Sequence, residues 1–241
     1  MALRLRMVSM RRIVKPELLD ELPPDDALAI GSRQDLRRLN AIMGNARILT
    51  EAFCRTPVGH RAGPLKVLEL GGGDGTLLLK LARDWSQVGV IGEAVLVDRD
   101  RTLSSEVQQA LSALNWRVTP VISDVFEWLK GFGGCVDLVL ANLFLHHFPD
   151  PELRELLRLI AARTKQFIAC EPRRSGITLN ASRLLALIGC NAVTRHDAVV
   201  SVRAGFRDGE LSALWPAGVG WLLDERKAGL FSHCFAAKRN E

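Results

Sequence analysis

The chain reads as an α/β domain of the doubly wound kind, and three observations predict it. A short apolar run, Lys66 to Leu70, ends in a turn with glycines at 71, 72, 73 and 75, then passes straight into Leu77, Leu78, Leu81, Ala82 and Trp85 at helical spacing. Further apolar runs alternate with helical stretches, the order expected of parallel strands joined by crossover helices. Near the C-terminus two runs, Trp221 to Glu225 and Leu230 to Ala237, are joined only by Arg226 to Gly229, too short for a crossover, which predicts an antiparallel hairpin.

The elements follow in order. The second strand is expected at Ala94 to Val97, followed by Asp98, with Asp100 capping a helix that starts near Thr102. The third, Arg117 to Ile122, runs into Ser123-Asp124-Val125, where Asp124 is placed to cap Val125 to Leu129. The fourth, Val136 to Ala141, ends at Asn142 and leads into LFLHHFPDP; Asp150 then caps and Pro151 opens a helix with Leu153, Leu156, Leu157 and Ile160 on one face. The fifth, Gln166 to Cys170, ends in Glu171-Pro172-Arg173-Arg174, and a last helix, Glu210 to Trp215, stops at Pro216. Ahead of the sheet, Asp35 to Phe53 is expected as one helix with Leu36, Leu39, Ile42, Met43, Ile48 and Leu49 as its apolar face.

A glycine turn between strand and helix brings a ligand against bare backbone amides at a helix N-terminus. The charges in the turn select the ligand. The dinucleotide pattern G-x-G-x-x-G fails at Thr76, and the loop has no lysine for a phosphate-cradling P-loop. Glu69 and Asp74 put two carboxylates beside the ligand, a field that repels pyrophosphate and suits a sulfonium or ammonium group.

Glu69, Gly71, Gly73 and Gly75 form E-x-G-x-G-x-G, which resembles the first motif of the class I S-adenosylmethionine-dependent methyltransferases. The resemblance spans about Leu65 to Lys238 and implies a doubly wound seven-stranded sheet, mostly parallel, with a reversed final strand. It implies S-adenosylmethionine as cofactor, held by Glu69, Gly71, Gly72, Gly73 and Gly75 at the turn and by Asp98 and Arg99 after the second strand. Asp98 would accept the ribose diol, although an acid there suits a dehydrogenase equally. Asp124 and Val125 would hold the adenine, against the alternative that Asp124 only caps its helix, and Asn142 completes the set.

Methyl transfer to oxygen is helped by a base, and His146 and His147 follow the fourth strand at the sheet edge where an acceptor would approach. His147 is expected as the base and His146 as its packing neighbour or substitute. Two segments outside the shared core are expected to form the acceptor site. One is the N-terminal helical cap, residues 1–62, set before a catalytic domain at 63–241; the other is an apolar lid at 175–205. Leu184, Leu187 and His196 in the lid, and Arg173 and Arg174 at its root, are the expected acceptor contacts, with plain core cover or a surface role as the alternatives.

Composition narrows the rest. The 241 residues are 48% hydrophobic with net charge +5, contain no tyrosine and are only 6% aromatic, which leaves little for a base-stacking platform. The fourth strand is followed by Asn142-Leu143-Phe144-Leu145, not the N-P-P-Y type of amine methylases. The stretch HDAVVSVRAGFRDGELSALWP resembles quinone-biosynthesis and polyketide-tailoring methyltransferases, so a phenolic, quinol or polyketide-like hydroxyl on an apolar or aromatic small molecule is the expected acceptor. A nucleic-acid methyltransferase and a non-catalytic cofactor-binding protein are the competing readings.

No apolar run approaches the roughly 18 residues that span a bilayer, and five cysteines without a C-x-x-C pair read as reduced thiols, so a cytoplasmic monomer or homodimer is expected. Arg4, Arg6, Arg11, Arg12 and Lys15 make the start basic and read as a frayed tail or an overlong start before Met7 or Met10, with a transit peptide or nucleic-acid arm as alternatives. No metal is expected, because the histidine pair has no acid or cysteine at ligand spacing in the sequence.

Overall fold

A computed structural model describes residues 10–23, 25–55, 63–100, 103–218 and 220–240. Arg4, Arg6, Met7 and Thr102, singled out above, lie outside the described residues. Seven strands form one sheet: β1 (Leu65–Leu70), β2 (Gly92–Asp98), β3 (Trp116–Ile122), β4 (Val136–Asn142), β5 (Thr164–Pro172), β6 (Trp221–Ala228) and β7 (Ser232–Arg239). Their order is β3-β2-β1-β4-β5-β7-β6. Only β7 runs against its neighbours, pairing antiparallel with both β5 and β6, as the C-terminal hairpin predicts. The hairpin turn is shorter than expected: Arg226 to Ala228 already belong to β6, and the chain reverses over residues 229–231.

Helices cover both faces. Against one pack α3 (Asn45–Arg55), α4 (Thr76–Ser86) and α5 (Ser105–Ala113), burying Leu49, Phe53, Leu78, Trp85 and Leu111 on Val67, Leu138 and Ile168. Against the other pack α6 (Val125–Gly131), α7 (Asp150–Arg163) and α10 (Glu210–Leu214), burying Leu129, Leu156, Ile160 and Leu211 on Leu68, Val139 and Phe167. Strands buried on both faces need near-continuous apolar runs, which is why β1 and β4 were legible without alternation.

The remaining helices gather over the C-terminal ends of the strands: α1 (Leu18–Glu21), α2 (Ala27–Met43), α8 (Gly176–Arg183) and α9 (Ala192–Ala204). The single helix expected over Asp35 to Phe53 is two. Gly44 adopts φ +68° and its amide closes on Asn40 and Ala41, so a left-handed glycine ends α2 and redirects the chain into α3. Two other caps differ from expectation. Ser104, not Asp100, caps α5, its hydroxyl accepting the Val107 amide at 3.2 Å; Asp150 lies one residue inside α7, whose N-cap is Pro149.

Candidate active site

Strands β1 and β4 are neighbours, while the chain goes first from β1 to β2, so the sheet order reverses between them and their C-terminal ends leave a crevice there. The glycine turn sits at its lip. Gly71, Gly73 and Gly75 have φ of +66°, +52° and +74°, a region costly for other residues. A β-carbon on Gly71 would press into the Phe144 ring at 2.5 Å, so this glycine lets the turn after β4 close against the turn after β1. At Gly73 nothing lies within 4 Å of that position, which leaves the backbone open to a ligand.

Three carboxylates frame this opening. Asp98 accepts from the Gly73 amide at 2.9 Å and from the Asp100 amide at 3.1 Å, so it ties the glycine turn to the end of β2. Asp74 receives the Thr76 amide at 3.0 Å and pairs with Arg37 of α2 at 2.6 Å; burial alone would raise its pKa, but these partners hold it below its ordinary value. Glu69 is only 2% exposed and its Oε2 has no partner among the described residues. Burial, then repulsion from Asp74 and Asp98, pushes its carboxyl up to about 8. A buried, orphaned carboxyl beside two acids is a place where a bound cation would be stabilised.

Asp124 plays the capping part. Its Oδ1 accepts from the Phe126 amide at 2.8 Å and from Glu127 at 3.3 Å, opening α6 behind buried Val125, and its Oδ2 pairs with Arg99 at 2.9 Å. Arg99 holds the Asp124 carboxyl below its ordinary range. Asn142 joins a carboxamide network: it accepts from Asn45 at 2.9 Å and donates to Asn40 at 3.2 Å, while Asn45 accepts from Ser232 at 3.0 Å. Helices α2 and α3 therefore grip the end of β4.

The turn after β4 carries the histidines, and it is built on Glu171. This fully buried residue of β5 accepts the amides of Phe144 and Leu145 at 3.0 and 2.9 Å through Oε1, and His146 Nδ1 lies 2.8 Å from its Oε2. The preceding Leu143 takes φ +51°, a left-handed backbone held by the hydrogen bond its amide donates to the Cys170 carbonyl. His146 Nε2 meets Glu17 Oε1 at 3.3 Å, and Glu17 also accepts from the Ser201 hydroxyl. Burial would lower the His146 pKa, but two carboxylates raise it to about 9; the same pairing holds Glu17 down at about 2 against its own burial. His147 is partly exposed, with Nδ1 3.5 Å from Asp20 Oδ2.

The expectation that the histidines lack acidic partners is thus overturned. Glu17, Asp20 and Glu171 arrive from distant parts of the chain, and ligand atoms of Glu17, His146 and His147 lie within 4.8 Å of one another. Sequence reading named Glu171 only as a strand end; the signal available was an acid closing an otherwise apolar strand beside Pro172. Glu17 and Asp20 sit in an acidic, proline-broken stretch with no local pattern pointing to the histidines.

The expected acceptor residues fare unequally. The Arg174 guanidinium is buried, and each of its three nitrogens donates within the protein, to the carbonyls of Met10 and Gly205 and to Glu210, so it staples the fold. Arg173 is half-buried where the chain leaves β5. His196 stands on the outer side of α9 beside Asp197, whose carboxylate also accepts the Leu18 and Leu19 amides. Leu184 and Leu187 do not line an enclosed pocket: they are 57% and 80% exposed, because α8 and the 3-10 turn after it turn outward.

Comparison with known proteins agrees with this layout. Residues 67–166 match the family model described as a methyltransferase domain. A search of curated proteins finds no match. Among solved structures, the plantazolicin methyltransferase BpumL in complex with SAH is similar with a TM-score of 0.63 at 11% identity, covering 92% of this chain and 93% of that one. An O-methyltransferase family protein from Burkholderia thailandensis gives 0.58 at 20% identity over 88% of this chain and 59% of that one. The magnesium protoporphyrin IX methyltransferase from Synechocystis PCC 6803, with bound SAH, gives 0.50 at 13% identity over 92% and 91%.

Proposed function

From a chain that carries a methyltransferase domain on the class I methyltransferase fold, we propose a methyl transfer from S-adenosylmethionine to a hydroxyl of a small apolar or aromatic molecule, of phenolic, quinol or polyketide-like kind. When bound, the cofactor supplies an electrophilic methyl group on a positively charged sulfur. The residues present suit that charge: orphaned Glu69 and the acids Asp74 and Asp98 face an open glycine turn without a lysine. Asp98, already fixed by two amides, keeps lone pairs for a ribose diol, and the Gly73 backbone is free for close approach.

The observation that carries the acceptor reading is the unequal state of the two histidines. His146 is a buried cation between Glu17 and Glu171, so it holds the turn and cannot take a proton at neutral pH. His147 is half-exposed, and with Asp20 3.5 Å from its Nδ1 to orient the ring, Nε2 is the nitrogen offered to an acceptor hydroxyl. Asp20 is then a positioning residue. The charge lost from sulfur on transfer needs no acid, so placing the hydroxyl and removing its proton are the protein's tasks.

The test is steady-state kinetics with labelled S-adenosylmethionine and a panel of phenols and quinols. His147→Ala is expected to lower kcat about a hundredfold with little change in cofactor affinity. His146→Ala is expected to act through the strength of the fold. Equal, small effects of both on kcat would remove the base from the scheme, and transfer to RNA but not to phenols would replace the acceptor class.

A further inference from the structure

Between Glu171 and Asp197 the chain has no acidic residue, yet it carries Arg173, Arg174, Arg183 and Arg195. In its middle lie four exposed apolar side chains: Ile177 at 64%, Leu184 at 57%, Leu187 at 80% and Ile188 at 50% exposure. Leu184, Leu187 and Ile188 form the tip of a ridge, and Ile177 continues it on the same face of α8 beyond exposed Asn180. Ile177 and Leu184 are two helical turns apart on the same face of α8, and the bond from the Leu187 amide to the Leu184 carbonyl is of the 3-10 kind, which eclipses these two side chains. Ala186 and Gly189 beside them are exposed as well, so no polar side chain interrupts the tip.

Within the segment the charge is of one sign. Arg183 is exposed immediately before Leu184, and Arg195 is exposed on the following helix. The acids packed at its flank are turned inward: Asp35 onto Thr194, Asn191 and Arg38, and Asp197 onto the amides of α1. An outward apolar ridge beside arginines, in a segment that carries no acid, is what an anionic lipid surface recognises, since apolar side chains enter the acyl boundary while arginines stay at the phosphates.

We infer that residues 176–189 dock the protein onto an anionic phospholipid bilayer as a peripheral, interfacial anchor. No helix among the described residues is long and apolar enough to cross a membrane, so the contact lies in the interface plane. The segment follows β5 at the C-terminal edge of the sheet, the edge that carries the glycine turn, so a docked molecule keeps its crevice close to the lipid. The inference stands on the ridge itself and does not depend on which acceptor is methylated.

Sedimentation with vesicles tests it. The 241-residue chain is expected to pellet with phosphatidylcholine vesicles containing phosphatidylglycerol, to pellet far less with phosphatidylcholine alone, and to be released by high salt. Leu187→Asp and Arg183→Glu are each expected to weaken the partition about tenfold, with S-adenosylmethionine binding and thermal unfolding unchanged as evidence of an intact fold. Vesicle binding equal for both lipid compositions, or unaltered in both variants, overturns the inference. So does a wild-type protein that ignores vesicles and forms a concentration-dependent dimer abolished by Leu187→Asp, since the ridge would then be covered by a second copy of the chain.

Discussion

At the scale of single residues, Glu69 makes the sharpest claim. Its carboxyl titrates near 8 in the free protein because it is buried beside Asp74 and Asp98. A cationic ligand favours the ionised form, so cofactor affinity is expected to rise with pH through about 8 and fall below it, and Glu69→Gln should flatten that dependence in calorimetry. The same raised carboxyl affects folding. The unfolded chain releases this proton near 4.5 and the folded one near 8, so free-protein stability falls as pH rises across that window. Asp98 gives an independent check. Replacing it by alanine removes a charge-assisted contact and should weaken cofactor binding about tenfold to a hundredfold; preferential binding of NADH by the wild type would overturn the whole cofactor assignment.

At the scale of elements, the segment before α2 acts as a strap. Arg12 donates to the carbonyls of Ala204 and Phe148 and pairs with Asp150, Ile13 bonds Arg203, and Asp197 caps α1. Glu17 then closes the strap over His146. The sign of its pH dependence follows from the two shifts. The His146 contribution is complete below 6.5 and is lost as pH rises through about 9, while that of Glu17 is present above 4.5 and is lost as pH falls through about 2. Tryptic cleavage after Arg12, measured against a reference peptide, should therefore be slow near neutrality and accelerate above about pH 9. Glu17→Gln should bring the fast cleavage down to neutral pH; a cleavage rate that ignores both changes would mean that the other strap bonds suffice.

At the scale of the whole molecule, the division at residue 62 cuts through one apolar cluster. Ile48, Leu49, Ala52 and Phe53 of α3 pack with Leu65, Leu78, Trp85 and Ile168 of the sheet and its helices. Burying such side chains contributes about 1.5 to 3 kcal/mol for each large one, so losing the set approaches the roughly 5 to 15 kcal/mol that a domain has in total. Residues 63–241 alone are therefore expected to show no cooperative thermal transition, whereas Leu49→Ala in the full chain should cost about 2 to 5 kcal/mol and leave the transition intact. We propose that α3 belongs to the catalytic domain and that only the strap and α2 act as its cover.

Local patterns in the sequence were enough for the sheet, the reversed hairpin and the glycine turn. Apolar runs bounded by Asp98, Asp124 and Asn142, and glycines whose positive φ excludes other residues, record their structural duty in neighbouring letters, because the forces that shape a strand or a tight turn act over a few residues. The break of the first long helix at Gly44 was visible in principle, although the apolar face continued across it and hid it. What only the tertiary structure decided is the state of the charged groups. His146 and His147 are adjacent and chemically alike in the sequence. One is buried between two carboxylates and the other is half-exposed beside one, because Glu171 reaches His146 from a neighbouring strand and Glu17 and Asp20 reach His146 and His147 from a strap more than a hundred residues away. Ionisation depends on burial and on partners within a few ångströms, and neither distance nor burial is written in the order of the residues.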